Sequence, residues 1–137
     1  METGSIKIII EEGKTPTVEA QLVNNNLWLS KAEMARLFNC FYMKIDANLR
    51  SIFKSHLLWE KDVSYTHRFT YKGKESQVDY YNLETLIFLS YRIATHEAKI
   101  FRRFVNSSLR EHLQKKKTAE KKIVWVFLPE QKNFWMN

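Results

Sequence analysis

Cysteine is almost missing from this chain: Cys40 is the one thiol among 137 residues. No intrachain disulfide can form, which excludes a disulfide-stapled secreted domain and fits a reducing cytoplasm. A lone cysteine without a partnering constellation is most often a small buried apolar side chain. Glycine is scarce as well, with three residues and no Gly-rich phosphate loop, so nucleotide binding of that kind is not expected. No two of the histidines His56, His67, His96 and His112 stand at ligand spacing, and no cysteine pairs with them. No metal and no cofactor is expected. No serine sits in a nucleophile-elbow pattern, which argues against an enzyme acting on a small-molecule substrate. No apolar run reaches the length of a membrane span, and the first residues lack the charged-then-apolar order of a signal peptide. The expectation is a cytoplasmic protein without a membrane partner.

What is present is apolar and basic. Hydrophobic residues make up 45% of the chain and aromatics 14%, enough for a real core in a single domain. There are 22 Lys and Arg against 15 Asp and Glu, a net charge of +7. That sign favours a polyanionic partner, usually nucleic acid, although a protein that is merely basic would show it too. The stretch from His96 to Lys122 alone holds nine Lys or Arg against three Glu.

Ser5 to Glu11 carries Ile6, Ile8, Ile9 and Ile10 and reads as a strand. A turn at Glu12-Gly13-Lys14 leads to a second strand, Pro16 to Val23, whose alternating Val18, Ala20 and Leu22 predict one buried face. Asn24-Asn25-Asn26 is a turn signal, and Leu27 to Leu29 a short third strand. Ser30 with Glu33 has capping-box spacing and starts a helix running to about Phe38, with Met34, Leu37 and Phe38 on one stripe beside Ala35. Asn39 interrupts it, because Asn accepts positive φ. Ile45, Leu49, Ile52 and Phe53 then mark an amphipathic helix from about Tyr42 to Ser55.

Val63 to Tyr71 and Glu75 to Tyr81, joined by Lys72-Gly73-Lys74, read as a β-hairpin with a basic tip. Asn82 can cap a helix from Leu83 to Ile93, apolar nearly all round and therefore central. Thr95 can cap a last helix to about Lys117, with Phe101, Phe104, Val105, Leu109 and Leu113 as its buried stripe and Lys99, Arg102, Arg103 and Arg110 around it. Residues 118–137 form a basic linker and an apolar tail. Such a tail must pack back as a strand, bury in a partner, or be the stub of a longer chain.

Two short helices about a left-handed residue, followed by a basic hairpin, have the outline of a winged helix-turn-helix. "WLSKAEMARLF" from Trp28, "QVDYYNLETLIFLSYRIAT" from Gln77 and "KIFRRFVNSSLREHLQK" from Lys99 resemble the RhuM family, bacterial proteins labelled virulence-associated. The layout is also similar to the Bro and KilA N-terminal domains of large DNA viruses and phages. The resemblance spans about Ile8 to Lys117 and implies a DNA-binding protein acting in transcriptional control or a mobile-element function. One departure stands out. RhuM relatives open the second helix after Gly-Val with polar residues, whereas this chain has Asn39-Cys40 and then Phe41, Tyr42 and Met43.

The expected fold is α+β: a small N-terminal antiparallel sheet, a helix-turn-helix, a wing-like hairpin and a C-terminal helical pair, in a domain of residues 1–117. The expected partner is double-stranded DNA, contacted by Lys31, Lys44, Asn48, Arg50, Lys54, Lys72 and Lys74. Asn48 suits adenine and a cation suits guanine, while Asp46 repels phosphate, so discrimination between bases should be weak. The alternative is a protein-interaction or homodimer module. Its surface would be Phe41, Tyr42 and Met43 with Trp125, Phe127 and Trp135 of the tail.

Overall fold

The computed structural model describes residues 2–119, and Trp125, Phe127 and Trp135 lie outside the described residues. The fold is α+β, as expected. In chain order it contains β1 (Ser5–Ile9), β2 (Thr17–Gln21), β3 (Leu29–Ser30), α1 (Lys31–Leu37), α2 (Tyr42–Lys54), α3 (Glu60–Val63), β4 (Ser64–Tyr71), β5 (Lys74–Tyr81), α4 (Leu83–Ser90) and α5 (His96–Ala119). One compact unit ends at Phe104, and a second begins at Val105, part-way along α5.

β1 and β2 form an antiparallel pair with Ile8 opposite Val18. Asn24 and Asn25 then both take positive φ (54° and 61°), and Val23 and Asn26 exchange both backbone hydrogen bonds across them. The chain reverses there as in a two-residue primed turn. The Asn26 carboxamide oxygen accepts from the backbone N–H of Leu27 (2.8 Å) and of Leu83 (3.0 Å), tying this turn to the start of α4. The third strand differs from expectation. It is Leu29–Ser30, shifted from Leu27–Leu29, and it joins β5 and β4 in a separate sheet of order β3-β5-β4.

The alternation in β2 overstates its burial. Val18 is half-buried, but Ala20 and Leu22 are exposed. A two-stranded hairpin has one layer only, and period-two alternation says which face would go inward without saying that anything covers it.

The helical pair carries the core. Ser30 Oγ accepts from the Glu33 N–H (3.2 Å) and Glu33 Oε1 accepts from the Ser30 N–H (2.9 Å), a complete capping box. Seven residues later α1 stops. Asn39 has φ +52°, the Cys40 N–H donates to the Ala35 carbonyl (3.0 Å), and the Asn39 N–H donates to that of Arg36 (3.3 Å). These are the two bonds of a Schellman ending with Asn at the left-handed position. α2 places Ile45, Leu49 and Ile52 in the core, and Phe38 meets Phe101 edge-on at 5.6 Å between ring centroids. Fully burying one such side chain contributes roughly 1.5–3 kcal/mol.

α2 ends the same way. His56 has φ +60°, and the Leu57 N–H donates to the Ile52 carbonyl (3.1 Å). A one-turn helix, α3, follows, with Leu58 and Val63 packed on Ile52. Between β4 and β5 the turn is Lys72-Gly73, with φ of +51° and +77°. Tyr71 therefore pairs directly with Lys74, and the hairpin stays in register to Ser64 opposite Tyr81.

α4 starts as expected, with Asn82 Oδ1 accepting from the Thr85 N–H (3.0 Å), but ends at Ser90 rather than Ile93. Arg102 meets this end: its guanidinium donates to the carbonyl of Ser90, the last residue of α4 and a group that a helix end leaves open, and to that of Ile93 (2.9 Å) in the loop beyond. Arg102 is thus a capping side chain and not a solvated one. α4 is also less central than its composition implies, since Phe88 and Tyr91 are exposed.

The α5 stripe is corrected too. Thr95 caps the helix through the Ala98 N–H (3.2 Å) and Phe101 is buried, yet Phe104, Leu109 and Leu113 are exposed. From Val105 onward the described part of the second unit is a single helix. It has no other described element of its own to bury a stripe against.

The left-handed turn yields a prediction. Asn39→Val forces a β-branched residue into positive φ and lowers stability by about 1–2 kcal/mol, whereas Asn39→Gly leaves it unchanged or slightly higher. Urea denaturation of the two variants checks this, and equal midpoints would contradict it.

Candidate nucleic-acid interface

Burial of Ile45, Leu49 and Ile52 decides what α2 shows to water. Their spacing of four and three residues puts Met43, Lys44, Ala47, Arg50 and Lys54 on the opposite side, and all five are exposed. The first turn of the helix has no side-chain cap, because Phe41 occupies that position. Phe41 is 86% exposed, Met43 65% and Tyr42 49%, a concentration of apolar surface beside the cations.

The sequence-expected contact residues divide into two groups. Lys44 and Lys54 on α2 and Lys72 and Lys74 at the hairpin turn are exposed. Lys31, Arg50 and Asn48 are engaged within the protein. Lys31 Nζ donates to Asp46 Oδ1 at 2.7 Å, joining the first residue of α1 to α2 with both side chains about four-fifths covered. Arg50 reaches the other oxygen of the same carboxylate at 3.1 Å, although its own side chain is largely in solvent. The Asn48 amide donates one of its two N–H groups to the Lys44 carbonyl one turn back (2.8 Å), which holds the side chain against its own helix.

Asp46 is therefore more than a charge that repels phosphate: it is the acceptor that holds α1 against α2. The Lys31 hydrogen bond keeps the Asp46 carboxyl below its usual value, against the opposing effect of desolvation and with added help from the Lys31 and Arg50 charges. Desolvation lowers the Lys31 ammonium, but the Asp46 hydrogen bond and charge outweigh it and raise the group above its ordinary value. At Cys40, burial pushes the thiol up while Lys44 opposes. A protonated, half-covered thiol is a poor nucleophile.

Arg92 is a cation that sequence reasoning passed over. It follows α4 and donates to Ser51 Oγ on α2 at 3.1 Å, adding positive charge against that helix. Forty-one positions separate the two residues, so no local pattern could have paired them.

At the hairpin, Lys72 Nζ lies 5.3 Å from the centroid of the Tyr71 ring. Among the described residues, no group of three or more His, Cys, Asp or Glu could hold a metal ion, and no helix is long and apolar enough to cross a membrane. No protein-family model matches the sequence, and no similar curated protein or solved structure was found.

The clamp has a pH signature. Asp46 is depressed when folded, so its contribution is complete above the unfolded carboxyl value of about 3.9 and is lost as the pH falls through the folded one. Lys31 is raised, so its share persists below about pH 10 and is lost as the pH rises through its folded value. Asp46→Asn lowers stability at pH 7 by about 1–2 kcal/mol. Urea midpoints should show that difference at neutral pH and its shrinkage in acid; a constant offset from pH 7 to pH 2.5 would contradict the clamp.

Proposed function

We propose that this protein binds double-stranded DNA without catalysis, mainly through phosphate, as a RhuM-type factor in transcriptional control or a mobile-element function. In this reading α2 enters the major groove and the Lys72-Gly73-Lys74 turn contacts the backbone as a wing. One observation carries it: α2 is anchored by three buried residues while its cation-bearing side lies in water. The chain's net charge of +7 adds long-range attraction to a polyanion.

Phosphate contact dominates base reading here. A bidentate base contact contributes about 1–3 kcal/mol of discrimination, yet Asn48 is bonded to its own helix and Arg50 to Asp46. Contacts from Lys44, Lys54, Lys72 and Lys74, with Arg50 or Arg92 added, are sequence-independent. Four to five of them give a log affinity that falls with log salt at a slope of about −4. A titration of random duplex at several salt concentrations measures that slope. Lys72→Glu with Lys74→Glu lowers its magnitude by about two without unfolding the chain. A flat salt response overturns the proposal, and unchanged affinity in the double variant removes the hairpin from it.

The exposure of Phe41, Tyr42 and Met43 favours a second reading, in which the start of α2 is a homodimer surface. The readings are compatible, since helix-turn-helix proteins commonly act as dimers. Sedimentation decides it. A dimer has twice the 16.4 kDa chain mass and reverts to monomer with Phe41→Ser and Met43→Ser; a monomer at all concentrations excludes it.

A further inference from the structure

The β4–β5 hairpin has two chemically different faces. Strand alternation puts Tyr65, His67, Phe69 and Tyr71 of β4 on one face, opposite Tyr80, Val78, Ser76 and Lys74 of β5. The other face carries Thr66, Arg68 and Thr70 opposite Asp79, Gln77 and Glu75. Both hairpin carboxylates thus lie on the second face, where Asp79 accepts from the Thr66 hydroxyl (2.6 Å) and Gln77 from Arg68 (3.0 Å). The first face has no acidic residue of its own and ends in two lysines.

Its rings form a row. Trp28 meets Tyr65 edge-on at 5.0 Å, Tyr65 stacks on Tyr80 at 5.3 Å, and His67 stacks on Phe69 at 5.8 Å with 17° between the planes. Tyr71 continues the row and carries Lys72 over its ring. The base of the row is half-buried, while His67, Phe69 and Tyr71 are exposed, the last two at 39% and 57%. A strand rises about 6.6 Å for every two residues, so the rings are offered at regular intervals along an extended line.

A hydrophobic core would cover such rings, and a plain solvated face would carry polar groups in their place. We propose that this face binds single-stranded nucleic acid, with unpaired bases stacking on Phe69, Tyr71 and His67 and phosphates drawn to Lys72 and Lys74. Stacking platforms of this kind accept any base, because every base has a π-face. The absence of acidic side chains on this face of the hairpin, set against the two on the other, is the charge pattern a polyanion requires. The occupant is distinct from the duplex assigned to α2 and does not depend on it. The only elements in common are the tip lysines.

Fluorescence anisotropy with labelled 12-mers of oligo(dT) and oligo(U), at fixed salt, tests the assignment. The intact chain should bind at least one of them, and the tighter of the two names DNA or RNA as the source. Phe69→Ala with Tyr71→Ala should weaken that binding on the order of 100-fold. Phe69→Tyr, which keeps the ring, should retain it, and random duplex affinity should change less than threefold in either variant. Circular dichroism of the double variant confirms that the fold is intact. Failure of the chain to bind either oligomer, or equal binding by the double variant, overturns the proposal. So does a concentration-dependent dimer that the double variant abolishes, since the face would then be covered by a second copy. Weaker duplex binding by Lys44→Glu with oligomer binding retained separates this site from the one on α2.

Discussion

α1 has only seven residues, roughly half of what an isolated helix needs to be even marginal in water. Its existence depends on having both ends closed. At the start, Ser30 and Glu33 satisfy each other's backbone N–H groups; at the end, the left-handed Asn39 lets two N–H groups turn back onto open carbonyls. Because α1 stops there, the chain can change direction within four residues and begin α2 at Tyr42. Ile45, Leu49 and Ile52 then go inward and the cations outward. The Lys31–Asp46 bond closes the pair from the other side, between the first residue of α1 and the second turn of α2. Cap, turn and clamp together set which side of α2 meets solvent.

The same clamp shows why net charge overstates what is free to bind. Asp46 occupies Lys31 and Arg50, and Arg102 is used up by the end of α4. Exposed cations outside the ion pairs of the first unit include Arg36, Lys61, Lys99 and Arg103 as well as Lys44 and Lys54 on α2 and Lys72 and Lys74 at the hairpin. The four on α2 and the hairpin are lysines, which act as point charges and match phosphate better than they read base edges. Under the proposed duplex binding, a surface built this way favours affinity over selectivity, in keeping with a helix that opens on Phe41, Tyr42 and Met43.

What was legible in the sequence was local. Capping at Ser30, Asn82 and Thr95, the left-handed Asn39 and a chain reversal at Gly73 each follow from a few neighbouring residues whose backbone chemistry leaves few choices, although the expected loop Lys72-Gly73-Lys74 is a two-residue turn with Lys74 already in β5. His56 was missed although it ends α2 as Asn39 ends α1, since histidine takes the left-handed region less often than the glycine expected at a helix end. Arg102 was misread and Arg92 passed over because their partners lie 12 and 41 positions away. The stripes of β2 and of distal α5 failed for another reason: periodicity identifies a face that could be buried but says nothing of a covering layer. In the candidate interface, the exposure of Lys44 and Lys54 followed from helical spacing and that of Lys72 and Lys74 from their place at a hairpin tip. The engagement of Lys31, Arg50 and Asn48 needed the three-dimensional arrangement.

Backbone amide chemical-shift mapping on addition of random duplex tests the central claim most directly, because it asks which surface the duplex touches. A duplex docked on α2 predicts that the largest changes fall on residues 43–54 and 71–74, fading as salt rises. Changes confined to the basic helix α5, with the outer side of α2 undisturbed, would contradict it.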